Sequence, residues 1–139
     1  MIDKAGRIRR IHNHIHSQNK VYPTLANGVQ IAAAAGLWAP SAGFTEIIPV
    51  DTITSDFAIH HINVEAASDA DTYEIVLYAG ETEIGRVRIT FIDIANSQTL
   101  PSIPFMAEVV PANTQIQAKI ATKAGGSETI DLSLAYHLH

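Results

Sequence analysis

The sequence predicts an all-β protein: an antiparallel β-sandwich, jelly-roll-like, with an extended N-terminal arm. Three observations carry this. Apolar and polar residues alternate through much of the chain, most plainly in Val109 to His139, VVPANTQIQAKIATKAGGSETIDLSLAYHLH. A period of two gives a strand one buried and one wet face. No long segment has the 3.6-residue period of an amphipathic helix. Gly, Pro, Asn and Asp turn signals cut the chain into about eight short strands, the spacing of a sandwich or jelly roll. The long connections fit a Greek-key crossing better than a meander.

Taken in order, Gly6 to Ser17 alternates loosely, with Ile8, Ile11 and Ile15 among Arg and His, and reads as an arm or an edge strand. Tyr22-Pro23 and Asn27-Gly28 are turn signals. Gly28 to Ala35 reads as a strand, because Val29 and Ile31 alternate and Gly36 and Pro40 close the segment. Phe44 to Pro49 is a strand ending at proline. Phe57 to Ala66 is the next, with Ala58, His60, Ile62 and Val64 inward and His61, Asn63 and Glu65 outward. Tyr73 to Ala79 is apolar on both faces, which predicts a central strand. Gly80-Glu81 is a turn, and Thr82 to Ile92 returns with a face switch at Gly85-Arg86 that fits a glycine bulge. Asn96 to Pro104 reads as a loop and Phe105 to Val110 as a strand. In the last two runs, joined by Gly125-Gly126, Ile116, Ala118 and Ile120 face in, as do Ile130, Leu132, Leu134, Tyr136 and Leu138. Gln115, Gln117, Lys119, Asp131, Ser133, His137 and His139 form the wet face.

One internal echo joins two of these segments. Ile47-Ile48-Pro49-Val50-Asp51-Thr52-Ile53 is similar to Val109-Val110-Pro111-Ala112-Asn113-Thr114-Gln115-Ile116. In each, β-branched residues end at proline and an Asx-type turn starts the next element. The expectation is two equivalent corners, one in each sheet.

Length and composition bound the rest. The 139 residues fit one domain with a real core. Apolar residues are 47% and charged residues 17%, which suits a folded chain. Without cysteine there is no disulfide framework and no thiolate metal site. No apolar run reaches the roughly 18 residues of a membrane span. The polar, basic N-terminus is not expected to be a secretory signal, so synthesis and folding in a cytosol is the simplest reading. The net charge of −5 is uneven. Residues 1–20 carry five cations against Asp3 alone, a balance of +4. Residues 21–139 carry Arg86, Arg88, Lys119 and Lys123 against thirteen acids, a balance of −9. The chain therefore divides into a basic arm, 1–20, and a β-sandwich domain, 21–139. The arm residues Lys4, Arg7, Arg9, Arg10, His12, His14, His16 and Lys20 are candidate contacts to an acidic protein surface or to nucleic acid, the plain alternative being a solubilising terminus.

Seven histidines raise the question of a metal. His12, His14 and His16 line one face if extended, a spacing that suits Zn²⁺ or Ni²⁺. His60-His61 followed by Glu65 matches a cupin ligand strand only in part, since the spacing fails. On opposite faces of a strand, His60 and His61 cannot share an ion. The expectation is surface or interface histidines, with no metal or other cofactor. Their protonation at mildly acidic pH would loosen an interface. There is no Gly-x-Ser-x-Gly elbow, no phosphate loop and no dinucleotide fingerprint. Glu81/Glu83 and Asp69/Asp71 sit in turn-like segments and read as solvated charge. No catalytic residues are assigned, and the protein is expected not to be an enzyme. Tyr22 and Trp38 are candidate interface aromatics. With Phe44 they lie in or near Pro/Gly-rich segments; exposed aromatics there could stack on sugars, but a single Trp beside Leu37 and Pro40 more often plugs the end of the sandwich or packs against a neighbouring subunit.

Several segments together resemble small virion proteins of tailed bacteriophages. They are His16-Ser17-Gln18, Lys20 to Leu25, the Trp38 segment, Glu46 to Ile53, Tyr73 to Gly80, Glu83 to Arg88, and the Pro111 to Gly126 corner with the final strand. The likeness spans nearly the whole chain and consists of strand and turn words. It implies a non-enzymatic structural protein of the particle, made in the host cytoplasm and located in the virion. That is a capsid decoration protein or an accessory tail protein. It further implies a homo-oligomer, a trimer above all, that meets other virion proteins such as the major capsid protein, without membrane or nucleic acid. The alternative is a tail-associated sandwich that binds a ligand or glycan for host attachment. A small metal-dependent β-barrel enzyme is the third reading.

Overall fold

The computed structural model describes residues 18–92 and 101–139. The predicted arm, including Lys4, Arg7, Arg9, Arg10, His12, His14 and His16, lies outside them. The described residues form nine strands: β1 (Lys20–Tyr22), β2 (Val29–Ala32), β3 (Thr45–Ile48), β4 (Phe57–Ala67), β5 (Thr72–Ala79), β6 (Thr82–Thr90), β7 (Ser102–Pro104), β8 (Ile116–Thr122) and β9 (Thr129–Leu138). All pairings are antiparallel.

One sheet runs β1-β9-β4-β7, with β2 also on β9, and the other runs β3-β8-β5-β6. β1 pairs with Leu134 to Tyr136 and β2 with Thr129 to Leu132, so the two lie end to end along one side of β9. Counted as one edge position, they make the sheet orders first-eighth-third-sixth and second-seventh-fourth-fifth. That is the double Greek key of a jelly roll. The protein is thus an all-β, antiparallel jelly-roll sandwich, as its alternation and turn spacing predict.

The core lies between the sheets. Phe57, Ile59, Ile62, Val64, Ile130, Leu132 and Leu134 of one layer meet Tyr73, Ile75, Leu77, Ile116, Ala118 and Ile120 of the other. Each large apolar side chain buried this way stabilises the fold by about 1.5–3 kcal/mol relative to exposure. β5 is central, between β8 and β6, as its two apolar faces require. Ile47 and Ile48 are both buried although adjacent. A register shift between Glu46 and Ile48 explains this.

The Gly80-Glu81 turn closes the β5–β6 hairpin, with Gly80 at φ 61°, where a side chain is disfavoured. The predicted glycine bulge is present: Leu77 pairs with Gly85 while Tyr78 pairs with Glu83. Gly85 also leaves room for Phe105, since a Cβ there would stand 2.6 Å from the Phe105 ring.

Three expectations are corrected. Phe105 to Val110 is not a strand. The edge of β4 is taken by Ser102–Pro104, from within the predicted loop, and the Phe105 amide donates to the His60 carbonyl at 2.9 Å. Phe105 and Val110 are buried anchors, and Met106 and Val109 between them are exposed. Two separated anchors gave the segment its apolar character without alternation. Second, Ser133 is not on a wet face: it is 1% exposed. β9 runs between β4 and the β1/β2 edge, and Asn63 Nδ2 donates to Ser133 Oγ at 3.2 Å. Third, the two echoed corners do not belong one to each sheet. They flank the neighbouring strands β3 and β8 of a single sheet, whose Ile48 and Ile116 are paired. Each corner carries the chain between the sheets, in opposite directions.

Candidate functional site

The outer face of the β3-β8-β5-β6 sheet carries a built depression. Register places three rows of side chains across β8, β5 and β6: Ala121, Glu74 and Arg88; then Lys119, Val76 and Arg86; then Gln117, Tyr78 and Glu83. The β2–β3 connection runs beside β8 and closes one side. The Trp38 amide donates to the Thr122 carbonyl at 2.8 Å and the Ser41 amide to Ile120 at 2.9 Å. Ser41 is buried and its hydroxyl donates to Ala32 at 2.7 Å, which fixes the connection to β2. Trp38 is therefore delivered over the sheet rather than into the end of the sandwich, and it stays 37% exposed.

The rows are tied by charge. Glu74, only 16% exposed, accepts from Arg86 Nη1 at 3.1 Å and from Arg88 Nε at 2.7 Å. Arg86 also pairs with Glu83. The Arg88 guanidinium lies 4.3 Å from the Trp38 ring centre, and Lys119 Nζ lies 4.5 Å from that of Phe44. Phe44 meets Tyr78 edge to face at 4.9 Å. Between them is a hollow of about 240 Å³ whose walls include Trp38, Tyr78, Glu74, Arg86 and Lys119, with Val76 among its lining. Of the aromatics singled out from the sequence, Trp38 and Phe44 come together here. Tyr22 packs against the core from β1, in the other sheet. The charged members were not foreseen, although Arg86, Arg88 and Lys119 are three of only four cations after residue 20.

The other sheet carries a histidine cluster. A register shift between Ile59 and His61 puts His60 at a bulge. Inward-facing residues are Phe57 and Ile59 before it and Ile62 and Val64 after it. The predicted opposite-face arrangement is thereby overturned: the rings of His60 and His61 are neighbours, Nδ1 to Nδ1 2.7 Å. His60 then reaches His137, centroids 5.4 Å apart, and His137 reaches His139 at 4.7 Å. The bulge had a signature in the sequence, the three-residue step between Ile59 and Ile62 in an otherwise two-residue period. His60 Nε2 is buried without a hydrogen-bond partner in range. Burial holds the His60 imidazole below its ordinary value of 6.5, the neighbouring His61 adds to this, and the Tyr136 backbone opposes it. Beside the cluster, Ser102 Oγ donates to Asn63 Oδ1 at 2.7 Å, so a polar ladder links β7, β4 and β9. Among the described residues no three His, Asp or Glu side chains are arranged to hold a metal ion.

A third feature is a groove of about 540 Å³ beside β6, which is the last strand of its sheet among the described residues; it is lined by Thr82, Glu83, Ile84, Met106, Ala107 and Glu108. The remaining singled-out positions have local roles. Lys20 is exposed in β1, paired with Tyr136. Asp71 is not merely solvated: its carboxylate accepts from the Thr72 amide at 2.7 Å and the Ala124 amide at 2.9 Å. No described helix is long and apolar enough to cross a membrane.

Fold and surface together define a jelly-roll sandwich with a charged, aromatic hollow on one outer face and a histidine cluster on the other. No protein-family model and no curated protein matches the chain. Among solved structures it is similar to the C-terminal CBM6 of LamC, a marine laminarinase from Zobellia galactanivorans. That likeness has 13% identity, 86% of this chain, 99% of the other and a TM-score of 0.41. It is also similar to a structure of infectious bursal disease virus, Gt strain, at 17% identity and TM-score 0.43, covering 89% of this chain and 33% of that one. A third is the carbohydrate-binding module CBM36 in complex with calcium and xylotriose, at 15% identity and TM-score 0.40, covering 86% and 88%.

Proposed function

We propose that this protein is a non-enzymatic structural subunit of a bacteriophage particle. It decorates or stabilises the capsid as a symmetric homo-oligomer, a trimer, in which the basic arm of one copy docks on its neighbour. The observation that carries this reading is the groove beside β6. An exposed strand edge invites pairing unless something covers it. Met106, 96% exposed, offers apolar surface there, and Glu108 lends negative charge. Residues 1–20, at +4, have the complementary sign, and the body at −9 does not. Removing residues 1–16 is expected to abolish binding to the particle while leaving the melting transition intact. Full-occupancy binding of the truncated protein rejects the reading. Multi-angle scattering of the full chain is expected to give a stable trimer, or a monomer that assembles only on capsids. A larger ring moves the protein to the tail.

A second reading, a tail-associated glycan-binding sandwich for host attachment, is favoured by one observation: the half-exposed Trp38 on the wall of the β8-β5-β6 hollow. Glycan-array binding that disappears in Trp38→Ala supports it, and an array without signal rejects it.

A further inference from the structure

We infer that the hollow formed by Trp38, Tyr78, Val76, Arg86 and Lys119 is a binding site for an acidic sugar, a single pyranose ring bearing a carboxylate. The inference rests on the glycan-binding reading and names its ligand class.

The first argument is charge. Residues 21–139 carry thirteen acids and four cations, yet three of those cations, Arg86, Arg88 and Lys119, converge on this one face. Among the walls of the hollow, Arg86 and Lys119 stand against Glu74, with Glu83 pairing Arg86 at the side, so Lys119 is the cation without an ion-pair partner among the described residues. The rest of the body repels anions, so a local positive site is distinctive against it. Glu74 engages both arginines and Glu83 takes Nε and Nη2 of Arg86, which holds the guanidinium groups in place. Arg86 and Arg88 nevertheless remain 56% and 61% exposed. With Nε, Nη1 and Nη2 of Arg86 each on a carboxylate, one further N–H remains on each Nη, and these beside the Lys119 ammonium suit a carboxylate through charge-assisted bonds.

The second argument is the apolar wall. Trp38 and Tyr78 line the hollow together with the aliphatic Val76 and Pro40. The C–H face of a pyranose packs against such surface while its hydroxyls point elsewhere. Arg88 covers the Trp38 ring but is not part of the hollow's lining, so the indole contributes to the hollow while held by a cation. The third argument is size. At about 240 Å³ the hollow is smaller than the roughly 300–1,000 Å³ of pockets for drug-sized ligands, which suits one ring of a chain whose neighbours lie in solvent.

Trp38 is the chain's single tryptophan, so its fluorescence reports on this site alone. The test titrates the full-length protein with a glucuronate-containing tetrasaccharide, its neutral glucose counterpart, and sodium citrate as a plain anion. A saturable change is expected with the acidic saccharide, at an affinity at least about tenfold above the other two. Arg86→Gln and Lys119→Gln are each expected to weaken it by about tenfold or more, the loss of one charge-assisted bond. Unchanged melting transitions show that these half-exposed changes leave the fold intact. Equal affinity for acidic and neutral saccharides overturns the inference but leaves the glycan-binding reading standing. No saturation with either saccharide overturns both. Citrate binding as tightly as the acidic saccharide overturns the sugar assignment, and so does undiminished binding in both Gln variants.

Discussion

The Asp51 amide donates to the Asn113 carbonyl across 3.2 Å, and both residues hold left-handed backbone, at φ 62° and 65°. The Asn113 amide in turn donates to the Ile53 carbonyl at 2.7 Å. The two echoed corners therefore dock on each other at one end of the sandwich, where β3 leaves its sheet and β8 enters it. Asp and Asn are among the non-glycine residues that occupy this conformation most readily. Asn113→Val is expected to destabilise the fold by about 1–3 kcal/mol, because a β-branched residue is strained there. Asn113→Gly should be near neutral. Urea denaturation midpoints decide this: equal midpoints for the Val and Gly variants would show that backbone conformation is not what the corner requires.

Gly85 and Phe105 form a second dependent pair. A Cβ at position 85 would stand 2.6 Å from Phe105 Cζ and 2.9 Å from Cε2, and Phe105 is only 4% exposed. Gly85→Ala should cost about 1–3 kcal/mol through overpacking. Combining it with Phe105→Leu should cost less than the two single changes together. A double-mutant cycle showing strict additivity would sink the claim that the ring is the obstacle.

Glu128 is a buried carboxylate, 7% exposed, that accepts from Thr122 Oγ1 at 2.6 Å and from the Gly126 amide at 3.0 Å. It organises the β8–β9 connection, and Thr122 itself is 0% exposed. Glu128→Leu leaves that hydroxyl and the Gly126 amide without their acceptor, at a cost of about 1–3 kcal/mol. Adding Thr122→Val should recover part of the loss by removing the stranded hydroxyl, less the bond that this hydroxyl accepts from the Gly125 amide at 3.2 Å. Thermal melts of the single and double variants test it, and no recovery would mean the hydroxyl is not the group at stake.

His60 makes stability depend on pH. Its folded-state value lies below the ordinary 6.5, chiefly through burial. The unfolded chain therefore binds the proton more readily. The contribution is present above about pH 6.5 and is lost as pH falls from there through the folded value. The groups facing His60 are His61 on its own strand, and His137 and the Tyr136 backbone on β9, with His139 beyond. A proton on both His60 Nδ1 and His61 Nδ1 would also set two donors against each other at 2.7 Å. The melting temperature should fall between pH 7.5 and 5, and fall less in His60→Gln. Identical pH profiles for the two proteins would remove His60 as the cause.

Much of this was legible in the residues themselves. The alternation at Ile116, Ala118 and Ile120 predicted one buried face, and all three are fully buried. Tyr73 to Ala79, apolar on both sides, predicted a central strand. The glycine bulge at Gly85 and the turn at Gly80-Glu81 were readable because those conformations require particular residues. The readings that failed share a cause. Ile62 and Val64 face inward as expected, but at Phe57 to His60 the phase is the opposite one, because Ala58 is small enough to fit either face. A single bulge brings the rings of the two histidines together instead of placing them on opposite faces. At Phe105 to Val110, apolar residues that anchor a loop could not be told from those of a strand.

Periodicity is a local property, written along a few consecutive residues, and it determined the class of fold and the inward face of most strands. The choice of neighbours is not local. Lys119, Val76 and Arg86 share a row only because β8, β5 and β6 lie side by side. The connection bearing Trp38 is tied to β8 by Ser41 across 79 residues of sequence. Such pairings are selected by the packing of two complete sheets against each other, where every inward side chain must find space at once. The strands and their faces could therefore be read from the chain, whereas the hollow beside Trp38 and the four-histidine cluster exist only once both sheets are assembled.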